Sequence, residues 1–331
     1  MPMPSIRHRS ARRAAVRRAV LLSVAVSVSG ALLLTSCTGE DLGPADGAED
    51  AETAGPVGTR RIVDARGRSV EVPLSPRRVV TLSRPTLDAA LALGVEPYGT
   101  AVFAADGDRT PPYLADRAVP ARVVAEEGRV RYGRLAALEP DLILVDGSTR
   151  AVDDLAALQA VAPTVVTSTG RHGWKEAFTA TAEALNMASA AQQVLGRYGT
   201  ELAETARAVE PELAGTGRSV GVVRWADGGL ARPADGDHVR SILESLGLRR
   251  APGSGTDGDW VFFGVRGAGR GEAVRTFGAA RTRPVLAPLA KADEEHRVAV
   301  VDGSAWEGPG GPIAARTVLN DVREAVAAPS G

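Results

Sequence analysis

"LAALEPDLILVDG", residues 135–147, reads as the end of a helix, a stop and a strand. Proline disfavours helix at the residue before it, so the helical pattern that starts near Tyr132 ends at Pro140. The following "DLILVDG" (141–147) is almost continuously apolar. A half-exposed strand alternates. A run without alternation needs cover on both faces, which helices flanking a parallel sheet provide.

The same rhythm extends outward in both directions. Upstream, "RRVVTLS" (77–83) is a β-branched run, "PTLDAALALG" (85–94) is helical and stops at Gly94, and "YGTAVF" (98–103) and "ARVVA" (121–125) are strands. Downstream, "VDDLAALQAVAP" (152–163) is a helix and "TVVTST" (164–169) a strand. Alternating β and α at this spacing means a mainly parallel sheet. A long helical stretch follows from Trp174 to Glu210, with a break at Asn186 and a stop at Pro211. A second α/β block then runs through "SVGVVRW" (219–225), "DHVRSILESLG" (237–247), "DWVFFGV" (259–265) and "HRVAVVDGSAW" (296–306) to a last helix, 312–327, opened by Pro312. About 268 residues, 60–327, are too many for one comfortable core, so two lobes are expected. The fold class is α/β: two Rossmann-like lobes joined by one long helix, with a ligand cleft between them.

The N-terminus is of a different kind. Residues 1–36 hold six arginines and no acid, and an uncharged run from Ala19 leads to "LLLTSC", where Cys37 is the chain's one cysteine. A basic region, an apolar region and small residues before a cleavage point make a secretory signal peptide. The Leu34-Thr35-Ser36-Cys37 ending resembles the bacterial lipobox, which implies a diacylated Cys37; two acyl chains suffice for stable anchoring. An ordinary secreted protein with an incidental cysteine is the alternative, and Sec and twin-arginine export both remain open. Residues 38–59 are acidic, rich in Gly, Ala and Pro, and too poor in large apolar groups to offset ordering entropy. Loss of the leader takes the formal net charge from −1 to about −7, which argues against a nucleic-acid partner. With its thiol acylated, the exported chain has no disulfide, Cys nucleophile or Cys metal site. The expected organisation is a signal peptide (1–36), the lipidated Cys and tether (37–59), an N-terminal lobe (60–173), a linker helix region (174–211) and a C-terminal lobe (212–331).

Several phrases, taken in order, resemble the substrate-binding lipoproteins of iron-siderophore ABC importers. They are "GRSVEVPLSPRRVVTLSRPTLDAALALGVEPYG" (67–99), "LAALEPDLILVDG" (135–147), "LQAVAPTVV" (158–166), "ILESLGLRR" (242–250) and "VDGSAWEGPGGPIAARTVLNDV" (301–322). The resemblance implies a monomeric receptor on the outer face of the cytoplasmic membrane. It would bind a ferric siderophore, with the hydroxamate type favoured, and deliver it to ABC permease subunits. The same fold with haem, a corrinoid or another chelate as cargo is the alternative. A siderophore hydrolase is a remote one, since no G-x-S-x-G elbow occurs. Two departures stand out. The family's acidic residue at the helix before "LEPDL" is replaced by Gly133. Its counterpart in the second lobe is missing from "LRRAPGSGTDG", so that lobe reads as trimmed. Glu126, Glu127 and Asp237 are candidate substitutes for docking a permease.

In open α/β sheets ligands bind beyond the carboxyl ends of strands. Those ends offer Arg84, Phe103, 147–150 with Arg150, Arg171 and His172, then Arg224 with Trp225, Arg266, and Trp306 with Glu307. Guanidinium forks suit the oxygens around a chelated metal, and aromatic faces suit its organic shell. The expected ligand-binding set is Arg84, Phe103, Arg150, Arg224, Trp225 and Trp306, although each is also readable as an ordinary surface or core residue. The exported histidines are only His172, His238 and His296, so no resident metal or other cofactor is expected, and iron enters only as part of the cargo. Gly308, Gly310 and Gly311 make a turn whose N–H groups suit an anion or form a plain loop.

Overall fold

The computed structural model describes residues 58–107, 109–117, 122–126, 128–231, 237–251 and 255–327. The leader, Cys37 and residues 38–57 of the tether lie outside them, whereas Thr59, expected at the end of the tether, opens the first strand. In chain order the elements of the first lobe are β1 (Thr59–Val63), β2 (Ser69–Pro73), β3 (Val79–Thr81), α1 (Arg84–Ala92), β4 (Gly99–Val102), β5 (Arg122–Glu126), β6 (Arg129–Val130), α2 (Tyr132–Ala137), β7 (Leu142–Val145), α3 (Leu155–Val161) and β8 (Thr164–Val166). Two helices follow, α4 (Trp174–Ala184) and α5 (Ala188–Thr216). The second lobe holds β9 (Ser219–Ala226), β10 (Gly229–Leu230), α6 (Asp237–Ser245), β11 (Arg249–Arg250), β12 (Trp260–Val265), α7 (Arg270–Ala280), α8 (Ala290–Glu294), β13 (Val298–Val300), α9 (Gly303–Trp306) and α10 (Pro312–Ala327).

β1 and β2 form an antiparallel pair; β1 buries only Ile62 and β2 only Val70, Val72 and Pro73, so neither makes an apolar run. The first-lobe sheet has the order β6-β5-β4-β3-β7-β8, parallel except at β6. Chain order reverses at β3, which has β4 on one side and β7 on the other. That reversal opens a crevice beyond the ends of β3 and β7, where such sheets take ligands. All four residues of β7 are buried, the double cover that "DLILVDG" required. The second sheet has the order β10-β9-β12-β13, with β11 beside the start of β9. Its parallel strands β9, β12 and β13 point their carboxyl ends to the same junction.

One helix serves both cores. Ala191 and Val194 of α5 pack with Val79, Leu142 and Leu144 of the first lobe, whereas Tyr198, Val209 and Leu213 pack with Val220, Trp260 and Phe262 of the second. Asn186, at φ 59°, separates α4 from α5, as its place in the sequence suggested. Pro211 does not stop the helix: it lies inside α5, which runs on to a Gly217 at φ 110°. Proline forfeits one backbone hydrogen bond and kinks a helix without ending it when packing on both sides holds the chain, and buried Val209 and Leu213 flank it. At 1.5 Å per residue the 29-residue helix is about 44 Å long.

α10 ties the lobes together. It lies along α5 and also meets α1 and α4. Asp88 of α1 is fully buried, and its carboxylate accepts the N–H groups of Gly311 (3.1 Å), Ile313 (2.9 Å) and Ala314 (2.9 Å). These are free donors at the start of α10, so the anion held by the glycine turn is the chain's own. Burial pushes Asp88 up to about 6, against the pull of the three N–H groups and the Tyr113 phenol. Among the described residues no helix is long and apolar enough to cross a membrane.

Candidate functional site

The junction between the strand ends has two halves. The first is filled by the protein itself. The loop after β4 (residues 103–107 and 109–117) leaves the first lobe and lies against the second. Its Asp106 carboxylate is buried 2.8 Å from the Arg84 Nε. Burial raises Asp106 to about 6, with Arg84 opposing. The guanidinium of Arg84 also sits 5.4 Å from the Phe103 ring centroid and reaches the Glu307 carbonyl oxygen at 3.5 Å. Across the junction, Arg224 Nη2 donates to the Trp306 carbonyl oxygen at 2.9 Å. Burial lowers Arg224 to about 10; Glu307 resists this, while Arg250, Arg266 and Arg84 add to it. Glu307 accepts from Arg266 Nε (3.1 Å) and from the Gly267 N–H (3.2 Å). Gly267 is at φ +62° and a Cβ there would fall 1.4 Å from the Ala105 oxygen, so only glycine lets the loop seat so closely. The Tyr113 N–H donates to Ser304 Oγ at 3.2 Å, which fastens the far end of the loop.

The second half is open. A cavity of about 630 Å³ lies between Asp146, Gly147, Ser148, Ser168 and 170–174 of the first lobe and His238, Arg240, Ser241, Pro309 and Gly310 of the second. It stands beyond the carboxyl ends of β7 and β8, beside Pro85 of α1. Ligand clefts commonly hold about 300–1,000 Å³. Asp146 forms its buried floor: its Oδ1 accepts the Ser148 N–H (3.0 Å) and hydroxyl (2.5 Å). Burial raises its pKa, and the bonds from Ser148 and Ser83 oppose that. Trp174 is the aromatic wall, 9% exposed and edge-on to Tyr198 at 4.9 Å between centroids. Arg171 and His172 are exposed at the first-lobe rim and Arg240 at the second-lobe rim. Among the described residues no group of three or more His, Cys, Asp and Glu is placed to hold a metal ion.

The expected ligand set therefore divides. Arg84, Phe103 and Arg224 come together, but in the filled half, where the chain's own groups occupy them. Arg150 is exposed at the start of a short 3-10 turn and lines no part of the cavity described above. Trp225 and Trp306 are corrections. Trp225 is 4% exposed and packs among Phe263, Phe277, Leu286 and Leu289, because on β9 it faces opposite to Arg224. Trp306 is 2% exposed; it stacks on Phe262 at 4.7 Å, and its Nε1 donates to Asp321 Oδ2 at 2.7 Å. The four-residue α9, capped by Asp302, turns that ring under the sheet rather than into the cleft. Conversely, Trp174 and His238 belong to the cavity and were not in the expected set. Trp174 begins a helix, an ordinary place for a packing residue, and His238 carries no local signal at all. Of the candidate docking acids, Glu126 is engaged by Arg131, Asp237 opens α6, and Glu127 lies outside the described residues.

Two α/β lobes that share one long helix and keep a cavity at their facing strand ends set this fold apart from a single-core domain. The chain belongs to the periplasmic binding protein family, which residues 79–259 match. YfiY of Bacillus subtilis strain 168, a probable siderophore-binding lipoprotein, is 30% identical over 192 residues, 58% of this chain and 58% of YfiY. The chain thus matches rather more than half the length of that relative. SirA of Staphylococcus aureus, solved with staphyloferrin B, shares the fold at a TM-score of 0.62 and 21% identity, over 80% of this chain and 98% of SirA. FeuA of Bacillus subtilis, solved with ferri-bacillibactin, does so at 0.63 and 18% identity, over 81% and 98%.

Proposed function

We propose that the protein is an extracytoplasmic receptor that binds a ferric siderophore in the interlobe cavity and hands it to an ABC permease, anchored to the outer face of the membrane by a lipid on Cys37. The observation that carries this reading is the 630 Å³ cavity at the strand ends, with cations on both rims and an indole wall. Arg171 and Arg240 suit the oxygens of a chelate, and Trp174 suits its organic shell. The names of YfiY, SirA and FeuA support the cargo class. In this reading the protein is a receptor and not an enzyme, and because iron arrives already chelated it needs no metal ligands of its own. The hydroxamate type is the first arm to test. Use of Arg84 and Arg224 by cargo would require it to displace Asp106 from the first and the Trp306 carbonyl oxygen from the second.

The test is intrinsic tryptophan fluorescence of the purified protein, titrated with ferric tris-hydroxamate, ferric tris-catecholate, ferric α-hydroxycarboxylate, haem and a corrinoid. Saturable quenching by one ferric class, absent with its iron-free form, is expected; response only to haem or the corrinoid would replace the cargo, and silence throughout would overturn the reading. Cys37→Ser is expected to move the protein out of the membrane fraction with its binding intact; retention there would defeat the anchor.

A further inference from the structure

His238, the second residue of α6, is 5% exposed and forms part of the cavity wall. Neither ring nitrogen has a hydrogen-bond partner among the described residues. Its packing explains this. The Trp174 ring meets it edge-on at 5.9 Å, and a Cβ at Gly310 would fall 2.9 Å from Nε2. Neither neighbour offers a side-chain acceptor. Ser241, one turn further along α6, spends its hydroxyl on the His238 carbonyl oxygen at 2.8 Å, not on the imidazole. Burial lowers the His238 pKa to about 4, so at neutral pH the ring is uncharged and carries one donor and one acceptor.

Buried polar groups are nearly always paired, and those that are not call for an explanation. At this position, with a ligand-sized cavity beside it, the missing partner is a ligand atom. We infer that His238 is a specificity-determining contact of the cleft, hydrogen-bonded by a neutral amide or hydroxyl of the cargo's organic shell. This rests on reading the cleft as a ferric-siderophore site and sharpens it. The rim arginines answer to anionic oxygens near the metal; a neutral imidazole against an indole answers to a neutral donor or acceptor on the ligand's periphery. The cost of the unpaired ring is already present in the free protein, so cargo that supplies the partner gains its relief. Both ring nitrogens are buried in the free protein, so the contact requires a change of side-chain torsion that brings one of them to the cavity. Only glycine fits at position 310, since a Cβ there would also fall 2.6 Å from the Ala314 Cβ.

The experiment uses two readouts on the wild-type protein, His238→Leu and His238→Asn. Tryptophan fluorescence with the three ferric chelates named above finds the bound class and its affinity. Imidazole ¹⁵N shifts of ¹⁵N-histidine-labelled protein, with the His238 signals assigned by their loss in the variants, then report hydrogen bonding at the ring. For the chelate that binds, His238→Leu is expected to lose about tenfold in affinity with an unchanged or raised Tm, His238→Asn to retain most of the affinity, and a His238 ring nitrogen to shift on saturation. Binding with unmoved nitrogens and unchanged affinity in His238→Leu overturns the inference and leaves the cleft reading standing. A lowered Tm in both variants, with affinity falling equally in each, also overturns it by making the residue structural. No binding of any chelate by the wild-type protein overturns the cleft reading and this inference together.

Discussion

The two halves of the interlobe junction use similar residue types to opposite ends. In the filled half, each cation from one element meets an acceptor from another: Arg84 meets Asp106, Arg224 the Trp306 carbonyl, and Arg266 meets Glu307. Asp88 answers the open N-terminus of α10 in the same way. In the open half, Arg171 and His172 stand at the rim, and the buried His238 has no partner. Charge at a strand end therefore does not by itself mark a binding site. Whether the chain has already supplied the counter-group does.

The strongest way to break this comparison is through Trp306. If its ring is core, Trp306→Ala should cost about 3–5 kcal/mol of stability, read by urea denaturation; a stable protein with lost affinity would return the ring to the cleft. Asp88→Ala should cost about 2–4 kcal/mol by stripping buried donors of their acceptor. The same variant should loosen α10, seen as faster amide exchange at Ile313 and Ala314; unchanged exchange would mean that Asp88 is no strut. In the open half, Arg171→Ala should leave stability within about 0.5 kcal/mol while weakening chelate binding about tenfold, or about 1.4 kcal/mol. The reverse pattern would exchange the roles of the two halves.

The smallest effect is a pH slope. Asp88 and Asp106 are raised to about 6 and Asp321 to about 7, all from 3.8. A carboxyl whose folded value lies above its unfolded one binds its proton more tightly when folded. These three therefore raise stability as pH falls from about 7 towards 5. His238, lowered from 6.5 to about 4, opposes them: below about 6.5 the unfolded chain protonates first, and stability falls. Asp106→Asn should flatten the rise and His238→Asn should steepen it, each by on the order of 1 kcal/mol between pH 7 and 5. Parallel curves for wild type and both variants would count against the burial that sets these values.

Elements with a one-dimensional signature were legible. The buried strands β7, β9 and β12 declared themselves as apolar runs, and Pro312 opens α10 where a first-turn proline belongs. β1 and β2, together with α7 and α8, were not, because short or weakly patterned segments take their structure from what they pack against. Pro211 departs from expectation for the same reason: its local rule is real, but the packing of Val209 and Leu213 in the second-lobe core outweighed it.

The site divides along that line. The sequence by itself determined two α/β blocks, a connecting helix and a set of arginines and aromatics at strand ends, because hydrophobic period and proline position are local. Only the tertiary structure decided which of them face a ligand. Trp225 differs from Arg224 by one residue, and the alternation of β9 sends it to the opposite face. Trp306 is drawn inward by Asp321, fifteen residues away along the chain. His238 matters because of groups more than sixty residues away on either side, Trp174 and Gly310. Pairing and burial are properties of neighbours in space, and no window of sequence contains them.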